Sequence, residues 1–250
     1  MRPRYVREAQ IIVKYKIDVI LIHFLLFIQA DLEVLAKECN PILGFYDPLN
    51  LAAAEFWGQS NEATIGFLRH AEIKHGRVAM FAFVGYIAHA NAIKFPWAME
   101  MNGSPFPAET NPPALWDTIS DAAKWQIFTL IAFLEFWSEL STPDHKHYMR
   151  GGKPGDFPDF KSGEEGIPHP VPFNFYDPFK LSKNMSEETK KRRLVAEINN
   201  GRLAQLGIIA FLSEQCAPGS VPLLSGVVQP YDGEGKLNVS HSCSISYIYP

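Results

Sequence analysis

The sequence predicts an all-α membrane protein built on three transmembrane helices, the first and third related by an internal repeat and crossing. Three observations predict it: three long apolar segments, a lopsided distribution of basic residues between the loops, and a duplicated motif that carries a Glu and an Arg into two of the segments. Composition agrees with a folded chain. With 47% apolar and 20% charged residues among 250, disorder is excluded as the main state. A net charge of −4 offers phosphates no basic face, so nucleic acid is not an expected partner. Cys39, Cys216 and Cys243 are too few and too scattered for a disulfide framework or a zinc site.

The first apolar segment runs from about Glu62 to Ile93, the second from about Ile119 to Leu140, and the third from about Glu187 to Cys216. None contains the ~18 uninterrupted apolar residues of an unambiguous span, and hydropathy alone leaves open three buried helices of a soluble bundle. With its charged first turns, each is long enough to cross ~30 Å of hydrocarbon at 1.5 Å per residue.

Loop charges favour the membrane. The first loop, Phe95 to Asp121, holds Glu100, Glu109, Asp117 and Asp121 but no Lys or Arg. The second, Ser141 to Glu188, holds Lys146, Arg150, Lys153, Lys161, Lys180 and Lys183, and the run Lys190 to Arg193 follows it. Basic loops stay on the side of synthesis, so the N-terminus and second loop belong there, with the first loop and C-terminus across the membrane. At the start of the chain, Arg2, Arg4, Arg7, Lys14 and Lys16 precede Val19 to Ile28, with Ala30 as a possible cleavage residue. That is the layout of a targeting peptide, and an extra amphipathic helix is the other reading. The expected organisation is an N-terminal segment 1–38, a three-helix domain 39–230 and a C-terminal tail 231–250.

The repeat gives the helices a chemistry. Ala71-Glu72-Ile73-Lys74-His75-Gly76-Arg77-Val78-Ala79 matches Ala196-Glu197-Ile198-Asn199-Asn200-Gly201-Arg202-Leu203-Ala204. A turn box precedes each copy, Phe45-Tyr46-Asp47-Pro48-Leu49 and Phe175-Tyr176-Asp177-Pro178-Phe179. A Glu and an Arg five positions apart differ by about 140° around a helix and cannot pair locally. If the two copies cross there, Glu72 meets Arg202 and Glu197 meets Arg77. Charges at membrane depth are tolerated when partnered in this way, and Gly76 and Gly201 let the two backbones approach.

Three residues beyond each Glu stands another donor, His75 in one copy and Asn200 in the other. Fourteen further on come His89 and Glu214, and the second segment offers Gln126 and Glu135. Imidazole nitrogen, amide oxygen and ion-paired carboxylate are single-atom donors, and oxygen donors suit Mg²⁺. Spread along three helices, they suggest many separate one-donor sites and no chelating cage.

The motifs RHAEIKHGRVAM and LVAEINNGRLAQ, with the boxes GFYDPLNL and NFYDPFKL ahead of them, resemble the light-harvesting chlorophyll-binding superfamily over about residues 43–230. Stretches such as IKFPWA, HYMRGGKPGDFPDF and EGIPHPVPF are most similar to the chlorophyll a-c antenna proteins, of fucoxanthin or peridinin type, of algae such as dinoflagellates. The resemblance implies three membrane helices with pigments packed around them, and Glu–Arg pairs locking the first and third. It implies chlorophyll Mg held by Glu72, His75, Glu197 and Asn200, and further chlorophylls by Gln126, Glu135, Glu214 and His89. Arg77 and Arg202 would be the structural partners. Carotenoids would end near Asp47-Pro48 and Asp177-Pro178. The implied pigments are chlorophyll a, chlorophyll c and carotenoids of peridinin or fucoxanthin and of diadinoxanthin type. The implied setting is the plastid thylakoid membrane, N-terminus stromal and C-terminus lumenal, with thylakoid lipids, neighbouring antenna proteins and a photosystem I or II core as partners.

Two other functions compete with this one. Glu72-x-x-His75 has the spacing of a di-iron carboxylate helix, but the second copy supplies Asn200 where iron needs His, and each Arg would neutralise a carboxylate. No nucleophile-base arrangement or phosphate loop is present, so catalysis is not expected. A photoprotective, energy-dissipating member of the same superfamily is the nearer alternative, because collection and dissipation differ by small changes in pigment distance.

Overall fold

The computed structural model describes residues 31–98, 103–140, 145–158 and 185–233. Helix α1 covers residues 31–39; α2 is Asn61–Ala90, α3 Pro112–Thr118, α4 Asp121–Ser138 and α5 Glu187–Cys216. Among the described residues the elements are helices and short 3-10 turns at Leu51–Ala53, Phe56–Gly58 and Tyr148–Arg150. The described parts of Met1–Met80 with Ile131–Ala204 form one compact unit, and those of Phe81–Leu130 with Gln205–Pro250 form another.

Local chemistry sets the helix ends. Ser60 Oγ accepts from the Ala63 N–H at 3.3 Å, and Glu62 stands in the first turn of α2, where the dipole favours an acid. Ser186 plays the same part for α5, accepting from the Thr189 N–H at 3.3 Å ahead of Glu187 and Glu188. The α2 C-terminus closes on Ala92, at φ 56°, with the Ile93 N–H on the Ala88 oxygen at 2.9 Å. Helix α5 has the bounds the sequence predicts. The second segment begins two residues later than expected, because Ser120 caps it. The stretch just before it forms α3, with proline at its first positions, where the sequence suggests only irregular loop. The N-terminal segment to residue 30 and the tail from residue 234 lie outside the described residues.

Burial is unevenly spread. In α2 the buried residues lie between Ala63 and Ala79, and beyond them Phe81 and Val84 are 82% and 67% exposed. The sole buried residue of α4 is Ser138, while its Trp125, Phe128, Leu130, Ile131, Phe133 and Phe136 are all exposed. Leu203, Leu206, Ile209 and Leu212 are exposed along α5. Among the described residues, no helix is long and apolar enough to cross a membrane on hydropathy alone. Its charges account for this: Asp121, Lys124 and Glu135 interrupt α4, and Glu72, Lys74, Arg77, Glu197 and Arg202 interrupt the other two.

Candidate functional site

In the first unit, α2 and α5 meet at glycine. A Cβ on Gly201 would stand 2.9 Å from the Gly76 Cα, closer than side chains tolerate, so only glycine lets the helices come this near. One residue beyond each glycine the Arg reaches across. Arg77 Nε donates to Glu197 Oε1 at 2.6 Å, and Arg202 Nε donates to Glu72 Oε1 at 2.7 Å. The structure thus brings together all four charged residues of the repeat. Each bond engages Oε1 and leaves the second carboxylate oxygen outside it.

The two pairs are not equivalent. Arg77 Nη1 also donates to the Gly155 carbonyl at 2.5 Å, and the Gly155 N–H donates to His70 Nδ1 at 3.1 Å. Gly155, at φ +79°, rests on Ile73, and a Cβ there would stand 2.8 Å from Ile73 Cγ2. The segment 145–158 is therefore pinned along α2 from His70 to Arg77. His70 stacks on Tyr148 at 3.9 Å between centroids, and burial together with its bond to Glu139 pushes the Tyr148 hydroxyl up to about 12. In the second unit, a Cβ on Gly207 would meet the Phe83 ring at 2.7 Å, and Phe83 stacks on Phe211.

The candidate donors divide by what else they do. His75 is exposed, and its Nδ1 lies 2.8 Å from the Ala71 carbonyl. With Nδ1–H donated there, Nε2 carries the lone pair, as in histidines that bind a metal through one nitrogen and a carbonyl through the other. Asn200 and Gln126 are likewise exposed. His89 is half-buried, with Nδ1 buried and without a hydrogen-bond partner among the described residues. Glu135 pairs with Lys74, Nζ to Oε2 at 2.7 Å, and Lys74 also donates to Ser138 Oγ at 3.2 Å.

Glu214 has partners within the chain. It is buried and turned inward, accepting from the Gly219 and Val221 N–H groups at 2.8 Å and from Ser225 Oγ at 3.1 Å. These bonds fold the turn after α5, because a carboxylate shielded from water seeks every available donor. Asp47 is used similarly, Oδ1 and Oδ2 accepting from the Leu51 and Ala52 N–H groups at 2.9 Å, while Pro48 is exposed. Asp177 and Pro178 lie outside the described residues.

Sequence reasoning passed over Lys74, Ser138 and Gly155. The signal for Lys74 is the place where the repeat fails, since Asn199 is its counterpart in the second copy.

Chemically, the surface of these helices offers separate donors and no cage. Among the described residues no three His, Cys, Asp or Glu side chains gather to hold a metal ion. A single imidazole nitrogen, amide oxygen or neutralised carboxylate would each supply one donor to a Mg²⁺ that brings most of its ligands with it. Exposed aromatic and aliphatic side chains on the same helices, Phe81, Phe128, Phe136 and Leu203 among them, suit a flat apolar macrocycle.

Residues 32–216 match the family model described as chlorophyll A-B binding protein. The chain is 34% identical over 173 residues to fucoxanthin-chlorophyll a-c binding protein F, chloroplastic, of Phaeodactylum tricornutum, covering 69% of this chain and 74% of that one. It is 35% identical over 185 residues to protein E of that organism, covering 73% and 80%. With the fucoxanthin-chlorophyll a-c binding protein of Trieres chinensis it shares 30% identity over 189 residues, covering 74% and 80%.

Proposed function

The chain belongs to the chlorophyll A-B binding protein family, and on that premise we propose how it works as a light-harvesting antenna protein that holds chlorophyll a, chlorophyll c and carotenoid. One observation carries the reading. Helix α4 is largely apolar, and among the described residues almost nothing covers it, which water would not tolerate. Lipid chains and pigments are the cover that such a surface needs, and α4, α2 and α5 are then three membrane-spanning helices. Eighteen residues of α4 make about 27 Å of helix, close to the hydrocarbon thickness.

Bound chlorophyll and carotenoid supply the absorption of light and the transfer of excitation. What the chain supplies is position. Glu72 and Glu197, neutralised by Arg202 and Arg77, present one oxygen each without placing a net charge in the membrane. His75 presents Nε2, while Asn200, Gln126, Glu135 and His89 present single donors at other heights. Glu214 folds its turn and stands outside this set. The Asp47-Pro48 and Asp177-Pro178 boxes mark the ends of the carotenoids. No residue is asked to move a proton or form a bond, so the chain is a scaffold and not a catalyst.

The setting we assign is the plastid thylakoid membrane, with residues 39–230 as the pigment-binding domain, 1–38 as a targeting peptide or extra helix, and 231–250 as a tail. Neighbouring antenna proteins and a photosystem core receive the energy. Gentle purification followed by pigment extraction tests the function: several chlorophylls per chain are expected, with carotenoid, and fewer than about four would contradict the count of single-donor sites.

Orientation has its own measurement. The Lys- and Arg-rich connection after α4 faces the stroma and the loop Phe95 to Asp121 the lumen. Protease added to intact thylakoids should cut at exposed Lys153 and spare the first loop; cleavage in the first loop alone would invert the topology.

A further inference from the structure

Outside the repeated Glu–Arg pairs, Lys74 of the first unit faces α4. Lys74 Nζ donates to Glu135 Oε2 at 2.7 Å and to Ser138 Oγ at 3.2 Å, while Ser138, buried, donates its own proton to the Glu135 carbonyl at 2.7 Å. A second carboxylate, Glu139, stands farther off, with Oε1 3.9 Å from Nζ. That carboxylate has partners of its own, His147 Nε2 at 2.8 Å and the Tyr148 hydroxyl at 3.0 Å. Lys74 is thereby committed to Glu135. The arrangement has the same logic as the Glu–Arg pairs, with cation and acid on different helices, but it lies outside the duplication: the second copy has Asn199 at the place of Lys74, bonded to the Cys39 carbonyl.

We propose that Lys74 is the charge partner that makes Glu135 a neutral, one-oxygen ligand for a chlorophyll Mg, so that the pigment site on α4 is completed from α2. The inference rests on the reading of Glu135 as a chlorophyll ligand. A carboxylate at membrane depth is tolerated when a cation partners it. Lys74 holds Oε2 at 2.7 Å and cancels its charge, and Oε1 remains for the metal. Ser138 fixes the approach of the ammonium by accepting one of its three protons. Lys74 is a positioning residue, since it touches the ligand and not the pigment.

An amide needs no counter-charge, and this separates the idea from a merely structural role. Full-length chain is refolded with extracted chlorophyll a, chlorophyll c and carotenoid, and pigments per chain and difference absorption spectra are measured for five variants. Glu135→Leu should lose one chlorophyll, Lys74→Leu should lose the same one with the same difference spectrum, and Lys74→Arg and Glu135→Gln should keep it. Joining Lys74→Leu with Glu135→Gln should restore it. If Lys74→Leu keeps every chlorophyll while Glu135→Leu loses one, the role of Lys74 is wrong and the ligand stands. If Glu135→Leu keeps every chlorophyll, the reading of Glu135 as a ligand fails instead. Should Lys74→Leu not assemble at all, the double variant decides: its assembly supports the proposal, and its failure beside an intact Glu135→Gln overturns it.

Discussion

Replacing Arg202 by Leu is expected to remove at least the chlorophyll held on Glu72 and to lower the stability of the refolded complex by on the order of 3–5 kcal/mol, once lipid and pigment keep the site dry. The Nε bond at 2.7 Å is the contact with Glu72 that the variant loses, and it leaves an unpaired charge at a depth that tolerates charges only in pairs. Arg77→Leu should cost more. It strands Glu197 and also leaves the Gly155 carbonyl without its donor, so the segment 145–158 loosens together with the pair. The exchange Glu72→Arg with Arg202→Glu restores the attraction and should recover part of the stability while moving the ligand to the other helix. Pigment analysis and thermal melting check all three; full pigment content and unchanged melting in Arg202→Leu would leave the copied Glu and Arg without a role.

The other large effect comes from glycine. Any side chain at Gly201 points at the Gly76 backbone, 2.9 Å from where the new Cβ would lie, and a backbone cannot turn aside as a side chain can. Gly201→Leu should force the helices apart, at a cost of about 3 kcal/mol or more, and stretch both Glu–Arg pairs at once. Refolding yield should collapse, while Gly85→Ala, with open space around its Cβ position, should assemble normally. Equal yields from the two variants would mean that α2 and α5 do not meet at this pair of glycines.

How far the sequence discloses the molecule depends on whether a feature repeats. Glu72, Arg77, Glu197 and Arg202 could be paired in advance because a duplication specifies both partners, and the α5 bounds were legible because Ser186 and two acids mark the start. The Lys74–Glu135 contact joins positions 61 apart with no symmetry to announce it. Only the mismatch of Lys74 with Asn199 hints that an extra cation needs an acid elsewhere. The hydrogen bonds of Glu214 escape the sequence for a related reason. Its spacing from Asn200 places it on the expected face, but the chain turns back at Gly219, φ +87°, and offers N–H groups that spacing along a helix cannot reveal. Helix α3 is short and starts on consecutive prolines, so its local signals read as loop until Gln215 Nε2 is seen bonding Asn111 Oδ1 at 2.7 Å beside it.

The bare flanks of α4 have a thermodynamic consequence. A domain with a core of its own has a melting point that is a property of the chain, whereas here most of the apolar contact of one helix must come from molecules that dissociate. Mass action then governs the fold: each independent pigment site adds RT ln(1 + [L]/Kd), about 2.7 kcal/mol when free pigment stands at a hundred times its dissociation constant. The folded population rises and falls with pigment supply, steeply, because several sites add their logarithms. Chains with uncovered α4 should then be cut faster by protease than chains with pigment bound.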